Sequence, residues 1–237
     1  MPRTNAHRSA GNCLLASLDD AQYAALAPSL QSVTLHLKEV VGERGSAAEY
    51  VYFPCGAVLS VLVFMRSGAA VEVGTIGREG FFGVELLIGG KQYTETTQCL
   101  VEGDSLRMPA SIFSEAIARD TPLRRLCQRF LVAYLSQVSQ SVACNRLHSI
   151  EERFARWVLL THDRVEGDTF FLTQEFIADM LGVHRPSVSL VAGALQQAGF
   201  IKYSRGAMTV LDRKALEAAS CECYEVCKEQ FASLLVP

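Results

Sequence analysis

The sequence has no apolar run long enough to cross a membrane. The longest, Ala57 to Met65, is broken by Ser60 and falls far short of the roughly 20 residues a spanning helix needs. The opening stretch, Met1 to Asn12, is polar and holds no apolar segment of the secretory-leader kind. A soluble, cytoplasmic protein with no membrane partner is expected. Excess charge is also lacking: 22 Lys+Arg against 25 Asp+Glu leave a formal net charge of −3. Any argument for nucleic acid must therefore be local. Cysteine is too sparse for a secreted disulfide scaffold. The eight thiols are scattered as Cys13, Cys55, Cys99, Cys127, Cys144, Cys221, Cys223 and Cys227. Catalytic signatures are missing as well, with no G-x-S-x-G, Walker loop or H-E-x-x-H. His162-Asp163 reads as a helix cap rather than a base. Gly77 to Gly83 is glycine-rich but precedes no clear helix, so it is a weak phosphate cradle. A protein that is not an enzyme is expected.

What is present changes character twice along the 237 residues. From about Val33 to Met108, β-branched and aromatic residues alternate with frequent glycines. Tyr50 to Phe53 reads as a strand, and Val58 to Met65 as a buried strand closed by Arg66-Ser67-Gly68. Val71 to Ile76 reads as a half-buried strand. Cys99 to Val101 and Leu106 to Met108 read as a late hairpin about Glu102-Gly103-Asp104. Many short strands at this spacing suggest a β-barrel or sandwich.

From Pro122, glycine disappears until Gly167, and Pro122 suits the first turn of a helix. Two apolar stripes run down that helix. One is Leu131, Leu135, Val138, Val142 and Asn145, at the 4-3 spacing of a coiled-coil seam. The other is Leu123, Cys127, Phe130 and Tyr134, turning polar at Gln137 and Ser141. The first stripe is assigned to a partner subunit and the second to the β-domain. A helix buried within one monomer is the alternative. Asn145 is either a register-setting polar residue or the frayed end of the seam. A second helix is expected over about Glu151 to Thr161, with Phe154, Trp157, Val158 and Leu160 or Thr161 on its apolar face. A polar loop, Asp163 to Asp168, follows.

Leu172 to Leu211 is the most informative stretch. Thr173 is a good N-cap with Glu175 in the first turn. Ile177, Met180 and Leu181 form an apolar face, and Gly182 suits the left-handed end of a helix. Val183 plugs the turn, and Ala178 lets the two helices cross closely. Pro186 suits the first position of a second helix whose core face is Val188, Val191 and Leu195, ending at Gly199. This is the helix-turn-helix layout. Pro186, Ser189, Leu190, Gly193 and Gln197 lie on the opposite face, with Arg185 at the N-terminal tip. Ile201 to Tyr203 and Met208 to Leu211 form a wing across Ser204 to Ala207. Between Met180 and Leu211 there is no Asp or Glu, while Arg185, Lys202 and Arg205 are basic and His184 stands beside them. A surface meeting phosphates requires that pattern. A structural helical hairpin with a solvated face is the competing reading.

Taken together, these features resemble the Crp/Fnr family of transcription regulators. The resemblance rests on Tyr52-Phe53-Pro54 with Gly56, on Gly77 to Gly83, on Ala143 to Arg146, and on Leu172-Thr173 with Leu181 to Arg185. It implies an α+β fold: an N-terminal double-stranded, jelly-roll-like β-roll over 1–121, a dimerisation helix over 122–148, and a winged helix-turn-helix over 149–237. It further implies a homodimer on a two-fold symmetric operator of double-stranded DNA, and contact with RNA polymerase. By resemblance Arg185 reads guanine. The neighbouring family contact positions, often Glu and Arg, are here Pro186 and Leu190, so a different operator or more shape readout is expected. Leu190 is left with a thymine methyl. His184, Ser187 and Ser189 offer polar contacts, Gln174 reaches phosphate, and Lys202 and Arg205 belong to the wing. A binding module whose C-terminal domain meets protein rather than DNA is the alternative function.

Cyclic-nucleotide-binding relatives hold ribose with a Gly-Glu pair and phosphate with an Arg about ten residues later. Here Gly83-Val84-Glu85 carries an extra residue, and Glu95 stands at the Arg position, followed by Thr96 and Thr97. No Lys or Arg occurs between Lys91 and Arg107, so cyclic AMP binding is expected to be weak or absent unless Lys91 swings in. The N-terminal cysteine cluster of the oxygen-sensing branch is also missing, since only Cys13 lies there, and no iron–sulfur centre is expected. No histidine spacing supports haem. Cys221, Cys223 and Cys227 read as structural thiols on a C-terminal helix. A redox or metal role is the alternative, since zinc wants four ligands and no second set lies nearby in sequence. No metal ligand is assigned.

Overall fold

The computed structural model describes residues 11–234. Two short helices, α1 (Cys13–Ala16) and α2 (Asp20–Leu26), precede the strands β1 (Gln31–Leu35), β2 (Val40–Gly42), β3 (Tyr50–Pro54), β4 (Val58–Phe64) and β5 (Ala70–Ile76). Next come α3 (Val84–Leu87), β6 (Thr96–Val101), β7 (Gly103–Pro109) and α4 (Ala110–Ala116). The long α5 (Pro122–Leu147) leads into α6 (Ile150–His162), β8 (Thr169–Phe171), α7 (Gln174–Leu181) and α8 (Arg185–Gln197). The chain finishes with β9 (Ile201–Ser204), β10 (Ala207–Val210), α9 (Arg213–Ala219) and α10 (Cys223–Leu234).

The N-terminal strands form two antiparallel sheets, ordered β1-β7-β3 and β2-β6-β4-β5. Their inner faces enclose Val51, Phe53, Leu59, Val61, Phe81, Met108 and Phe113. The expected late hairpin is not there. β6 pairs with β2 and β4, whereas β7 pairs with β1 and β3. The chain crosses from one sheet to the other at Glu102. The turn residues legible there mark a corner of the roll, because each flanking strand finds a better apolar surface in a different sheet.

α5 starts as expected. Thr121 accepts a hydrogen bond from Arg124 N, and Pro122 takes the first turn. Leu123, Cys127, Phe130 and Tyr134 are buried against the roll, with Phe130 5.4 Å from the Phe81 ring. Each such ring or aliphatic chain contributes about 1.5–3 kcal/mol on burial. Gly80 is required here, since a Cβ would lie 2.0 Å from the Phe130 ring. The other stripe stays open: Leu135 is 55% and Val142 67% exposed, and Leu131 and Val138 are half-buried.

α6 is enclosed more fully than one apolar face requires. Its expected apolar face is buried, but so is the rest of its circumference, since every residue from Phe154 to Thr161 is buried. The reason is its position. Its core is shared by α7, α8, the winged sheet β8-β10-β9 and the outward-facing Val58, Leu62 and Leu100 of the roll. The two halves thus share apolar packing rather than meeting through a loose linker.

Candidate nucleic-acid interface and β-roll site

Thr173 caps α7 by accepting from Phe176 N, and Gly182 ends the helix at φ 61°. Val183, half-buried, packs into the core beneath the turn. His184 then stands at the N-cap of α8 and makes no side-chain capping bond. The helix begins at Arg185, so Pro186 takes its second position rather than its first, which costs nothing because that N–H has no intrahelical partner. Val188, Ala192 and Leu195 are buried, with Val191 half-buried. Ala192 was not among the expected core positions; Ala is too small to weigh in an apolar periodicity.

The opposite face is bare. Arg185, Pro186, Ser189, Gly193 and Gln197 are exposed, and Leu190 is 77% exposed. Ser187 is half-buried. Ser189 donates to Gln174 Oε1 at 2.7 Å and to Arg185 O at 3.2 Å. The two polar residues expected to reach DNA separately therefore lock α7 to α8. The wing turns at Arg205 (φ 51°) and Gly206 (φ 85°), both left-handed as a tight primed hairpin turn needs. It carries a third strand, β8, which sequence reasoning missed because three residues are too few to show a period. Tyr203 O–H donates to Leu172 O at 2.6 Å and pins the wing to the start of α7. Arg185, Lys202 and Arg205 are all exposed in this acid-free segment.

In the roll, Gly83 (φ 107°) precedes α3, a four-residue helix that the glycine-rich loop does introduce. Glu85 is 7% exposed, and its Oε1 accepts from Thr94 N at 3.0 Å and Thr94 Oγ1 at 2.9 Å. Thr94 Oγ1 also bonds Glu95 Oε2, and Arg44 N donates to Thr96 Oγ1. Glu85 Oε2 and Thr97 Oγ1 are buried and meet no partner among the described residues. Buried polar atoms of that kind ask for a polar ligand. A hydroxyl donor is one such group for the free Glu85 oxygen.

Polar groups link the two halves. Gln137 donates to Thr75 O at 3.1 Å, and Arg164, 5% exposed, pairs with Glu79 at 2.8 Å and reaches Gln137 Oε1 at 3.5 Å. The stripe on α5 turns polar where the helix leaves the roll for this junction. His162-Asp163 is structural: Arg213 bonds both, and Asp163 also accepts from Tyr224 O–H.

A β-roll joined through a long helix to a winged helix-turn-helix with an exposed, acid-free second helix defines a DNA-binding transcription regulator. Residues 32–120 match the model of the cyclic nucleotide-binding domain, and residues 152–219 that of the Crp-like helix-turn-helix domain. The chain belongs to the Crp/Fnr family of transcription regulators. Its fold is similar to that of a Crp/Fnr-family protein from Eubacterium rectale, at 19% identity and TM-score 0.67, covering 88% of this chain and 98% of the other. FixK2 from Bradyrhizobium japonicum matches at 16% identity and TM-score 0.69, covering 81% and 98%. A CRP-family transcriptional regulator from Thermus thermophilus matches at 24% and TM-score 0.67, covering 79% and 96%. A comparison with curated proteins finds no match. No helix among the described residues is long and apolar enough to cross a membrane.

Proposed function

We propose that the protein binds a two-fold symmetric DNA operator as a homodimer, with α8 of each subunit in a major groove and the wing on the flanking backbone. The division into a β-roll over 1–121, a dimerisation helix over 122–148 and a DNA-binding domain over 149–237 belongs to the same reading. The observation that carries it is the exposed Arg185 at the tip of α8, in a segment without acids and beside the exposed wing cations Lys202 and Arg205. A guanidinium at a recognition-helix N-terminus suits bidentate pairing with guanine. Leu190 offers only an apolar contact, to a thymine methyl. His184 and Ser187 supply polar contacts at the groove edge. The matched helix-turn-helix model does not favour the reading in which this domain meets protein instead. Leu131, Leu135, Val138 and Val142 form the seam between subunits. Asn145 sits at its end and accepts from Arg153 Nε at 3.1 Å, tying α5 to α6. Contact with RNA polymerase and a cytoplasmic location, without enzymatic activity, complete the reading.

The signal enters at the roll, at Gly83, Glu85, Glu95, Thr96 and Thr97. Cyclic AMP should bind weakly or not at all unless Lys91 swings in, because Glu95 stands at the sequence position where relatives carry a cation for the phosphate. Micromolar or tighter binding by calorimetry would overturn this point. Selection of bound duplexes from random sequence tests the main reading, with Arg185→Ala alongside. The variant should lose about 1–3 kcal/mol of discrimination at one base pair per half-site. Lys202→Ala should weaken all duplexes alike and lower the salt slope by about 1. An unchanged preference at every position in Arg185→Ala places the reading helix elsewhere.

A further inference from the structure

Cys144 lies in the last turn of α5, and His148 follows it by four residues, at the extended break between α5 and α6. Cys221 comes from the link between α9 and α10 and Cys223 is the first residue of α10, far along the chain. The fold brings all four together. Their ligand atoms lie within 4.8 Å of one another. Cys144 Sγ is 3.6 Å from Cys221 Sγ, and Cys223 Sγ is 3.5 Å from His148 Nδ1. A tetrahedral zinc ion with bonds of about 2.3 Å to sulfur and 2.0–2.1 Å to nitrogen has edges of roughly 3.5–3.8 Å. Two edges are therefore already of that length, and the others, none longer than 4.8 Å, need to close by at most about 1 Å, within the reach of side-chain rotation.

The surroundings favour a cation with thiolate ligands. His148 Nε2 meets Glu222 Oε2 at 3.2 Å, which turns Nδ1 inward as a carboxylate behind a metal-binding histidine does. Gln140 Nε2 donates to Cys223 Sγ at 3.0 Å. Arg156 is 7% exposed; its hydrogen bonds go to Ser141 and Cys227, and its Nε has none among the described residues. A buried guanidinium so placed asks for nearby negative charge, which metal-bound thiolates supply. The three thiols also form a small cluster of their own, apart from both apolar cores. A group this size contributes little by apolar burial alone.

We propose that Cys144, His148, Cys221 and Cys223 bind one zinc-class divalent cation, in a closed structural site that ties α10 to the α5–α6 joint. Three sulfurs and one imidazole converging on one point select a soft or borderline ion over magnesium or calcium. The site is independent of the reading of α8 as the DNA-contacting helix.

The test uses the full chain purified under reducing conditions. Metal analysis should find about one equivalent of zinc per chain, as a closed four-ligand site requires. Substitution with Co²⁺ should give the visible bands of a tetrahedral thiolate site, lost in Cys221→Ser and in Cys223→Ser. Glu222→Gln, at a side chain 75% exposed and so harmless to folding, should weaken Co²⁺ binding by about 10–100-fold. Cys227→Ser should leave the bands unchanged. A Co²⁺ spectrum that survives both ligand substitutions would overturn the proposal. So would a reduced, folded protein that takes up no Co²⁺, or a Cys144–Cys221 disulfide found by mass spectrometry in metal-free protein as purified.

Discussion

The carboxyl group of Glu72 lies between the roll and the DNA-binding half. Ser60 donates to its Oε2 at 2.5 Å and Trp157 Nε1 to its Oε1 at 2.9 Å. The residue keeps some exposed surface, but the carboxyl itself is enclosed. Burial pushes its pKa up from 4.5 to about 7, against the hydrogen bonds and the more distant Arg156 and Arg164. The folded protein therefore holds this proton more tightly than the unfolded chain does. Below 4.5 both states are protonated, and stability then falls as pH rises toward 7. Glu72→Gln should remove that slope and raise stability above pH 7 by up to about 3 kcal/mol. Denaturant unfolding at pH 5 and pH 8 checks it; parallel pH profiles for the two proteins would refute it. Asn12 shows a different residue-scale device. It is fully buried, donates to Pro54 O and Gly80 O, and caps α1. In the sequence it is one polar residue at the end of a polar stretch, because nothing local signals partners 42 and 68 residues away.

Helix α5 carries the clearest element-scale prediction. Its roll-facing stripe is buried and its other stripe is open, and an open apolar stripe at seam spacing seeks a partner. Leu135→Glu with Val142→Glu should raise the dissociation constant of the proposed homodimer at least about tenfold, since each apolar side chain contributes roughly 1.5–3 kcal/mol on burial. Both residues are exposed in the monomer, so the monomer's fold should survive. Sedimentation at several concentrations decides: a variant as dimeric as the parent removes α5 from the interface. The helices were legible because caps and 3.6-residue periods are local, as Thr121-Pro122, Thr173 and Gly182 illustrate. The sheets were less so. β6 and β7 flank a good turn yet join different sheets, since pairing depends on surfaces far away in sequence. The exposed, acid-free face of α8 was visible as a gap in acidic residues. The cluster of Cys144, His148, Cys221 and Cys223 was not, because its halves lie 77 residues apart and no spacing rule spans that distance.

At the scale of the whole molecule, the question is whether the roll and the DNA-binding half unfold separately. Apolar packing argues against it: Val58, Leu62 and Leu100 of the roll share a core with Phe154, Trp157 and Ile177. Polar contacts argue the same way. Thr75, Gln137, Arg164 and Glu79 form a continuous chain from β5 through α5 to the loop after α6 and back to the roll. Arg164 and Glu79 are the critical pair, with side chains 4% and 15% exposed. Removing one partner strands the other charge out of water, which costs more than the pair contributes when intact. Arg164→Ala should therefore destabilise by about 3–5 kcal/mol. The loss should appear in one cooperative transition seen alike by Trp157 fluorescence and far-ultraviolet circular dichroism. Adding Glu79→Gln should recover part of the loss, because no charge is then left buried alone. Two separated transitions in the parent protein would mean that the junction is too weak to couple the halves. A signal at the roll would then need a route to α8 other than this contact.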